Sequence, residues 1–119
     1  MQLSVIILNY NVRYFLEQCV LSVQKALEEL NPDASGEIIV IDNASTDETA
    51  NILKDLAKKN KLVRIILNTR NFGHIRSPYW GVIQSQGDAT IYLASDLQDP
   101  PELIPKLIEA WEDGYKVAL

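Results

Sequence analysis

Short apolar runs rich in β-branched residues recur along the chain, at residues 3–8, 37–42, 62–67 and 89–94. Each has the length of a strand, and apolar residues stand side by side in it rather than in every second place. Continuous apolar character means that both faces of a strand are covered, as in a parallel sheet. Between the runs the spacing changes. Val12, Leu16, Cys19, Val20, Val23, Ala26, Leu27 and Leu30 advance in steps of three and four, which predicts an amphipathic helix. A turn cluster at residues 31–36 follows it. Ser45 and Glu48 have the form of a capping box for a second helix, which carries Ala50, Leu53, Leu56 and Ala57 and ends in Lys58-Lys59-Asn60-Lys61. Ser77-Pro78 reads as the N-cap and first residue of a third helix running to about Gln86 and stopped by Gly87. A fourth spans Pro101 to about Asp113, with Leu103, Ile104, Leu107, Ile108 and Trp111 on one side and Gly114 as its stop. Residues 115–119 begin a fifth strand.

Strand and helix thus alternate four times. That order predicts an α/β fold with a doubly wound, mostly parallel sheet and helices on both faces. The 119 residues make one domain, without an internal repeat or a linker-like stretch. A net charge of −5 excludes a domain-wide basic footprint for nucleic acid. One cysteine, Cys19, excludes a disulfide framework and a thiolate zinc cluster, and its place on the apolar stripe of a helix reads as core. One histidine, His74, excludes a multi-histidine metal site. No apolar run approaches the roughly 18 residues of a membrane span, and the first residues lack the marks of a signal peptide, which points to the cytoplasm.

Ligands of such sheets bind beyond the carboxyl ends of the strands. Here all four ends are polar: Asn9, Tyr10 and Asn11 after the first; Asp42, Asn43, Ser45 and Asp47 after the second; Asn68, Arg70 and Asn71 after the third; Ser95, Asp96, Gln98 and Asp99 after the fourth. Four polar exits on one rim predict a polar pocket. Asp42 suits hydrogen bonds from a base or ribose, or support of the following turn. Tyr10 suits stacking on a planar base, or packing on the first helix. Asp96, Gln98 and Asp99 offer the hard oxygens that hold Mg²⁺ or Mn²⁺, although Asp99 also suits a cap for the helix after it. A phospho-acceptor receiver domain has the same alternation but needs an acidic pair after the first strand. A dinucleotide-binding domain needs a glycine-rich turn there, and no glycine precedes Gly36.

The strings Asp42-Asn43-Ala44-Ser45-Thr46-Asp47, Asn71-Phe72-Gly73-His74 and Asp96-Leu97-Gln98-Asp99-Pro100-Pro101-Glu102 resemble family 2 glycosyltransferases of the GT-A fold. The last two are similar to the branch that makes polyprenyl-phosphate sugars on dolichol or undecaprenyl phosphate. The resemblance covers the whole chain but only about the first half of a family catalytic domain. It implies an N-terminal nucleotide-sugar-binding part, truncated on its C-terminal side, whose uncovered face favours self-association. It implies an inverting transfer from a UDP- or GDP-sugar to a polyprenyl phosphate at the cytoplasmic face of a membrane, with Mg²⁺ or Mn²⁺. Leu8, Tyr10, Asp42, Asn43, Ser45 and Arg70 are then the nucleotide-binding residues, with Arg76 as a further phosphate contact. Asp96 is the catalytic carboxylate, and Asp96 and Gln98 are the metal ligands. One position departs: Ala94 stands where the family's Asp-x-Asp has its first carboxylate. That keeps open an alternative, a non-catalytic nucleotide-sugar-binding or regulatory domain of the same fold.

Overall fold

The computed structural model describes residues 3–11, 13–30, 36–96, 98 and 100–117, the side chains of Arg13 and Leu30 excepted. Val12, most of the 31–36 turn cluster, Leu97, Asp99 and the last two residues of the expected fifth strand lie outside that set. The elements follow in the order β1 (Leu3–Asn9), α1 (Arg13–Leu30), β2 (Gly36–Asp42), α2 (Thr49–Lys59), β3 (Val63–Leu67), α3 (Gly73–Gln84), β4 (Ala89–Ala94), a 3-10 turn (Pro101–Leu103) and α4 (Ile104–Glu112). The strands form one sheet in the order β3-β2-β1-β4, and every pair is parallel, as the continuous apolar runs require.

Side chains alternate across the sheet, so each central strand feeds two cores. Leu3, Val5, Ile7, Ile38 and Val40 pack on one face with Leu16, Cys19, Val20 and Val23 of α1, Leu53 and Leu56 of α2, and Ile104 and Ile108 of α4. Ile6, Ile39 and Ile41 point to the other face. That face carries α3, which comes close because Gly81 has no side chain: a Cβ there would lie 2.6 Å from Ile41 Cδ1 and 3.0 Å from Ile6 Cγ2. Fully burying an aliphatic side chain of this size contributes about 1.5–3 kcal/mol, so the two central strands carry much of the fold's stability.

The lower end of the sheet is tied by one carboxylate. Glu37 Oε1 accepts from Ser4 Oγ at 2.7 Å and from Gln86 N at 2.7 Å, while its Oε2 accepts from Arg64 at 2.9 Å. Gly87 N donates to the same Ser4 hydroxyl at 2.8 Å. Glu37 therefore joins β1, β2, β3 and the turn into β4.

The helix ends differ from the sequence reading in four places. The Ser45–Glu48 capping box does not form; α2 starts at Thr49, whose N–H is met by Asp47 Oδ1 at 3.1 Å. The Ser45 hydroxyl donates to Asp42 at the end of β2 and accepts from Asn11 after β1, and is not free to cap. The third helix starts at Gly73 rather than at Ser77-Pro78, so Pro78 lies inside it, and it ends at Gln84. A turn held from β2 fixes that early start, and Pro78, the sixth residue of the helix, has no N–H to bond the carbonyl of His74. The fourth helix is divided into the 3-10 turn and α4. It does stop at Gly114, whose φ of +103° lets Gly114 N bond Trp111 O and Tyr115 N bond Ala110 O, the paired C-terminal bonds of a Schellman turn. Residues 115–117 form no strand: they are exposed, and among the described residues nothing pairs with the outer edge of β4.

Candidate functional site

The ladder continues past the strand ends. Asn68 N donates to Asp42 O at 2.9 Å, Asn43 N to Asn9 O at 2.9 Å, and Ser95 N to Leu8 O at 3.1 Å. All four exits therefore lie in one row along the carboxyl edge, as a parallel sheet dictates. Leu8, Tyr10, Asp42, Asn43, Ser45 and Asp96 all belong to it. Neighbouring strands are about 4.8 Å apart, so the exits of β2 and β4 stand roughly 10 Å from each other across β1.

The exits of β1 and β2 are knotted together. Ser45 N donates to Asp42 Oδ2 at 3.1 Å, and Ser45 Oγ donates to Asp42 Oδ1 at 2.5 Å. Asn9 Nδ2 donates to Asp42 Oδ1 at 3.2 Å. Asn11 N reaches Ser45 Oγ at 2.9 Å, and Thr46 N returns to Asn11 Oδ1 at 2.7 Å. Asn11 (φ +52°) and Ala44 (φ +60°) hold left-handed backbone, which costs an alanine about 1 kcal/mol or more and is sustained by these bonds. The carboxylate of Asp42 thus supports the turn and is 4% exposed. On the other side Ser95, also buried, donates from Oγ to Asn9 Oδ1 at 2.7 Å. Ser95 fastens β4 to β1.

Asn43 is the most heavily bonded side chain of the rim. Its oxygen accepts from Asn68 Nδ2 at 3.0 Å, Phe72 N at 3.0 Å and Ser77 Oγ at 2.9 Å. Its nitrogen donates to Asn71 Oδ1 at 2.8 Å and Gly73 O at 3.2 Å. Asn43 and Ser45 reach the expected edge, but their polar atoms are turned to protein partners. Ser77 was expected as a helix cap and is instead a buried member of this cluster. Asn9, Asn68, Asn71 and Ser95 stood out in the sequence only as polar exits, and their joint appearance was the signal for such a network.

Other side chains of the row face outward. Tyr10 is 44% exposed at the end of β1. Leu8 is partly buried against Ile6, Ile39 and Ile41. Arg70 lies in the loop after β3 with its guanidinium carbon 4.6 Å from the centre of the Phe72 ring, a cation–π contact. Arg76 lines a cleft of about 310 Å³ with Asn68, Phe72, Ser77 and Trp80.

Asp96 is partly buried, and its Oδ1 accepts from Gln98 N at 3.1 Å, an Asx turn. Burial, and then the Asp96 charge, push the Cys19 thiol up to about 11. Among the described residues no three His, Cys, Asp or Glu side chains converge on a possible cation position. Asp96 has a carboxylate oxygen with no partner among the described residues, and Gln98 is exposed beside it. One carboxylate at an open rim fits a hard cation that takes its other ligands from phosphate oxygens and water, and does not fit a cation held by protein alone.

The profile of glycosyl transferase family 2 matches residues 4–119. The undecaprenyl-phosphate 4-deoxy-4-formamido-L-arabinose transferase of Pseudomonas syringae pv. syringae is 39% identical over 116 residues, covering 96% of this chain and 34% of that protein. The dolichol-phosphate mannosyltransferase of Pyrococcus furiosus is 38% identical over 119 residues, covering 100% of this chain and 32% of that protein. The chain therefore spans about a third of the length of these relatives. Among solved structures, a mannosyltransferase from Pyrobaculum calidifontis in complex with GDP-Man and Mn²⁺ superposes with a TM-score of 0.70 at 20% identity, covering 82% of this chain and 32% of that one. The glucosyl-3-phosphoglycerate synthase of Mycobacterium tuberculosis, with Mn²⁺, UDP and phosphoglyceric acid, superposes with a TM-score of 0.66 at 23% identity, covering 92% and 38%. These likenesses bear out the GT-A expectation for the fold. The profile match over nearly every residue, with relatives near 40% identity, makes this chain a member of glycosyl transferase family 2.

Proposed function

We propose that the chain is the donor-binding part of an inverting glycosyltransferase that moves a sugar from a UDP- or GDP-sugar to a polyprenyl phosphate at the cytoplasmic face of a membrane. The observation that carries this reading is the single row of strand exits, with Asp42 at the end of β2, Tyr10 after β1 and Asp96 after β4, two strands from Asp42. A separation of roughly 10 Å suits a nucleoside diphosphate laid across β1, with its base at Asp42 and its diphosphate toward Asp96. The polyprenyl-phosphate acceptor is taken from the activities of the named relatives. No described helix is long and apolar enough to cross a membrane.

The chemistry follows from the leaving group. Departure of a nucleoside diphosphate builds negative charge, and a bound Mg²⁺ or Mn²⁺ neutralises it. Asp96, with Gln98 beside it, would hold that cation on one carboxylate. Asp42 would accept a hydrogen bond from the base while Tyr10 packs on its face, and Arg70 would meet a phosphate. Asn43 and Ser45 would serve by holding this frame. A second reading, a nucleotide-sugar-binding domain without catalysis, is favoured by Ala94, which leaves the cation one carboxylate fewer.

Calorimetry with UDP, GDP and their sugars, each with Mn²⁺ and with chelator, tests the reading. Binding that needs Mn²⁺ and weakens by about 1–3 kcal/mol in Asp42→Ala is expected. Binding unchanged in folded Asp42→Ala would make Asp42 a structural carboxylate only. Metal-dependent hydrolysis of labelled nucleotide sugars separates the enzyme from the binding domain.

A further inference from the structure

We propose that Asn43 is a positioning residue for the donor site: its amide clamps the loop between β3 and α3 against the exit of β2 and so sets the pocket wall beside Asp42. The proposal rests on the donor-binding reading above.

Two backbone groups fix how the amide is turned. Phe72 N–H can only donate, so the atom facing it is the oxygen of Asn43. Gly73 C=O can only accept, so the atom facing it is the nitrogen. The remaining partners agree: Asn68 and Ser77 donate to the oxygen, and Asn71 Oδ1 accepts from the nitrogen. With three donors on the oxygen and both amide hydrogens used, the side chain, 2% exposed, has no capacity left for a ligand. Whatever it contributes to nucleotide binding passes through the loop.

The loop has little else to hold it. Among the described residues its main chain is tied by Asn68 N to Asp42 O, by Gly73 N to Asn71 Oδ1, and by the two bonds to Asn43. It carries Arg70 and Phe72, stacked on each other. The left-handed turn at Ala44 lets successive residues of one strand exit serve opposite neighbours. Asp42 and Ser45 bond toward β1, while Asn43 bonds toward the loop after β3.

Only an amide supplies both an acceptor and a donor in this shape. An aspartate would set a carboxylate oxygen against Gly73 O and Asn71 Oδ1, two acceptors, unless it carried a proton to donate. Asn43→Asp is therefore a clamp that closes when protonated and opens when ionised. The charged and titratable groups nearest in sequence on the segments that Asn43 joins are Asp42 at the end of β2, Arg70 in the loop, and His74 and Arg76 at the start of α3. All are present in the wild type too, so the difference between the two pH profiles isolates residue 43.

The test measures affinity for UDP and for GDP with Mn²⁺, from pH 5 to pH 8, in the wild type, Asn43→Asp and Asn43→Ala, with hydrogen exchange at the Phe72 and Gly73 amides. Asn43→Asp is expected to bind about tenfold more weakly than wild type at pH 8 and to recover as the pH falls, with protection of the Phe72 amide returning in step. Asn43→Ala is expected to bind weakly at every pH; if it does not fold, the aspartate profile alone decides. Wild-type binding together with an Asn43→Asp profile parallel to the wild type overturns the clamp. A wild type that binds neither nucleotide overturns the donor-site reading, and the clamp with it.

Discussion

Glu37 is the most informative residue to perturb for stability. Glu37→Ala removes three hydrogen bonds to a charged acceptor, from Ser4, Gln86 and Arg64. Each is worth about 1.5–3 kcal/mol alone, but bonds sharing one carboxylate do not add. Gln86 and Arg64 are exposed enough to regain water, whereas Ser4 is fully buried and keeps only its bond from Gly87. The expected loss is therefore about 2–4 kcal/mol, or a fall in Tm of roughly 10 °C. Glu37→Gln keeps an oxygen for Ser4 and Gln86 and loses only the charge facing partly exposed Arg64, so about 1 kcal/mol is expected. Burial pushes the Glu37 carboxyl up, but hydrogen bonds from Ser4, Gln86 and Arg64 and the Arg64 charge outweigh it and hold the group below its ordinary 4.5. A lowered folded value means that the stabilisation is complete above the unfolded value and is lost as the pH falls through the folded one. Urea denaturation of the wild type and Glu37→Gln at pH 7 and at pH 3 should show the gap closing in acid. A gap of equal size at both would refute the argument that the ionised carboxylate holds the foot of the sheet.

Three further outcomes follow from the packing and the rim. Gly81→Ala gains about 1 kcal/mol of helix propensity but forces a methyl against buried Ile41 and Ile6, at about 1–3 kcal/mol, so a lower denaturant midpoint is expected and a higher one would count against close approach of α3. Cys19, with its thiol pushed up to about 11, should react with iodoacetamide at pH 8 at least about 100-fold more slowly in the native protein than in urea, and comparable rates would contradict its burial. Under the donor-site reading, Ala94→Asp should tighten Mn²⁺-dependent nucleotide binding, while Asp96→Ala should abolish the Mn²⁺ effect seen in calorimetry. A Mn²⁺ effect that survives Asp96→Ala would remove Asp96 from the cation site.

The strands were readable because burial on both faces forces continuous apolar runs, and α1 because its core-facing residues fall in steps of three and four. The errors lie where a local rule met a competing partner. Ser45 and Glu48 have the spacing of a capping box, but Asp42 and Asn11 claim the Ser45 hydroxyl. Ser77-Pro78 has the form of a helix start, but Asn43 fixes the turn at Gly73 and the helix begins a turn earlier. Residues 115–117 have strand composition, but they join neither open edge of the sheet, that of β3 or that of β4. The rim was legible as a place, since parallel strands share a carboxyl edge. Which of its amides face outward was not, because the deciding bonds join residues such as Asn43 and Asn71, 28 positions apart.

The strand order also bears on how the chain folds as it is synthesised. Of the four described strands the first to be made, β1, is an inner one, flanked by β2 and by the last of the four, β4. Once β2 and β3 have paired, one edge of β1 stays open until β4 is translated, and the rim bond between Asn9 and Ser95 spans 86 residues. At about 5–20 residues per second, the interval between β1 and β4 lasts some seconds or longer. During that time an apolar strand of seven residues, Leu3–Asn9, offers unpaired backbone to any other nascent chain. Long-range parallel pairing is slow as well as late. Variants that delay the β1–β4 closure, at Gly87 or Ser95, should therefore reduce soluble yield more than their effect on equilibrium stability accounts for.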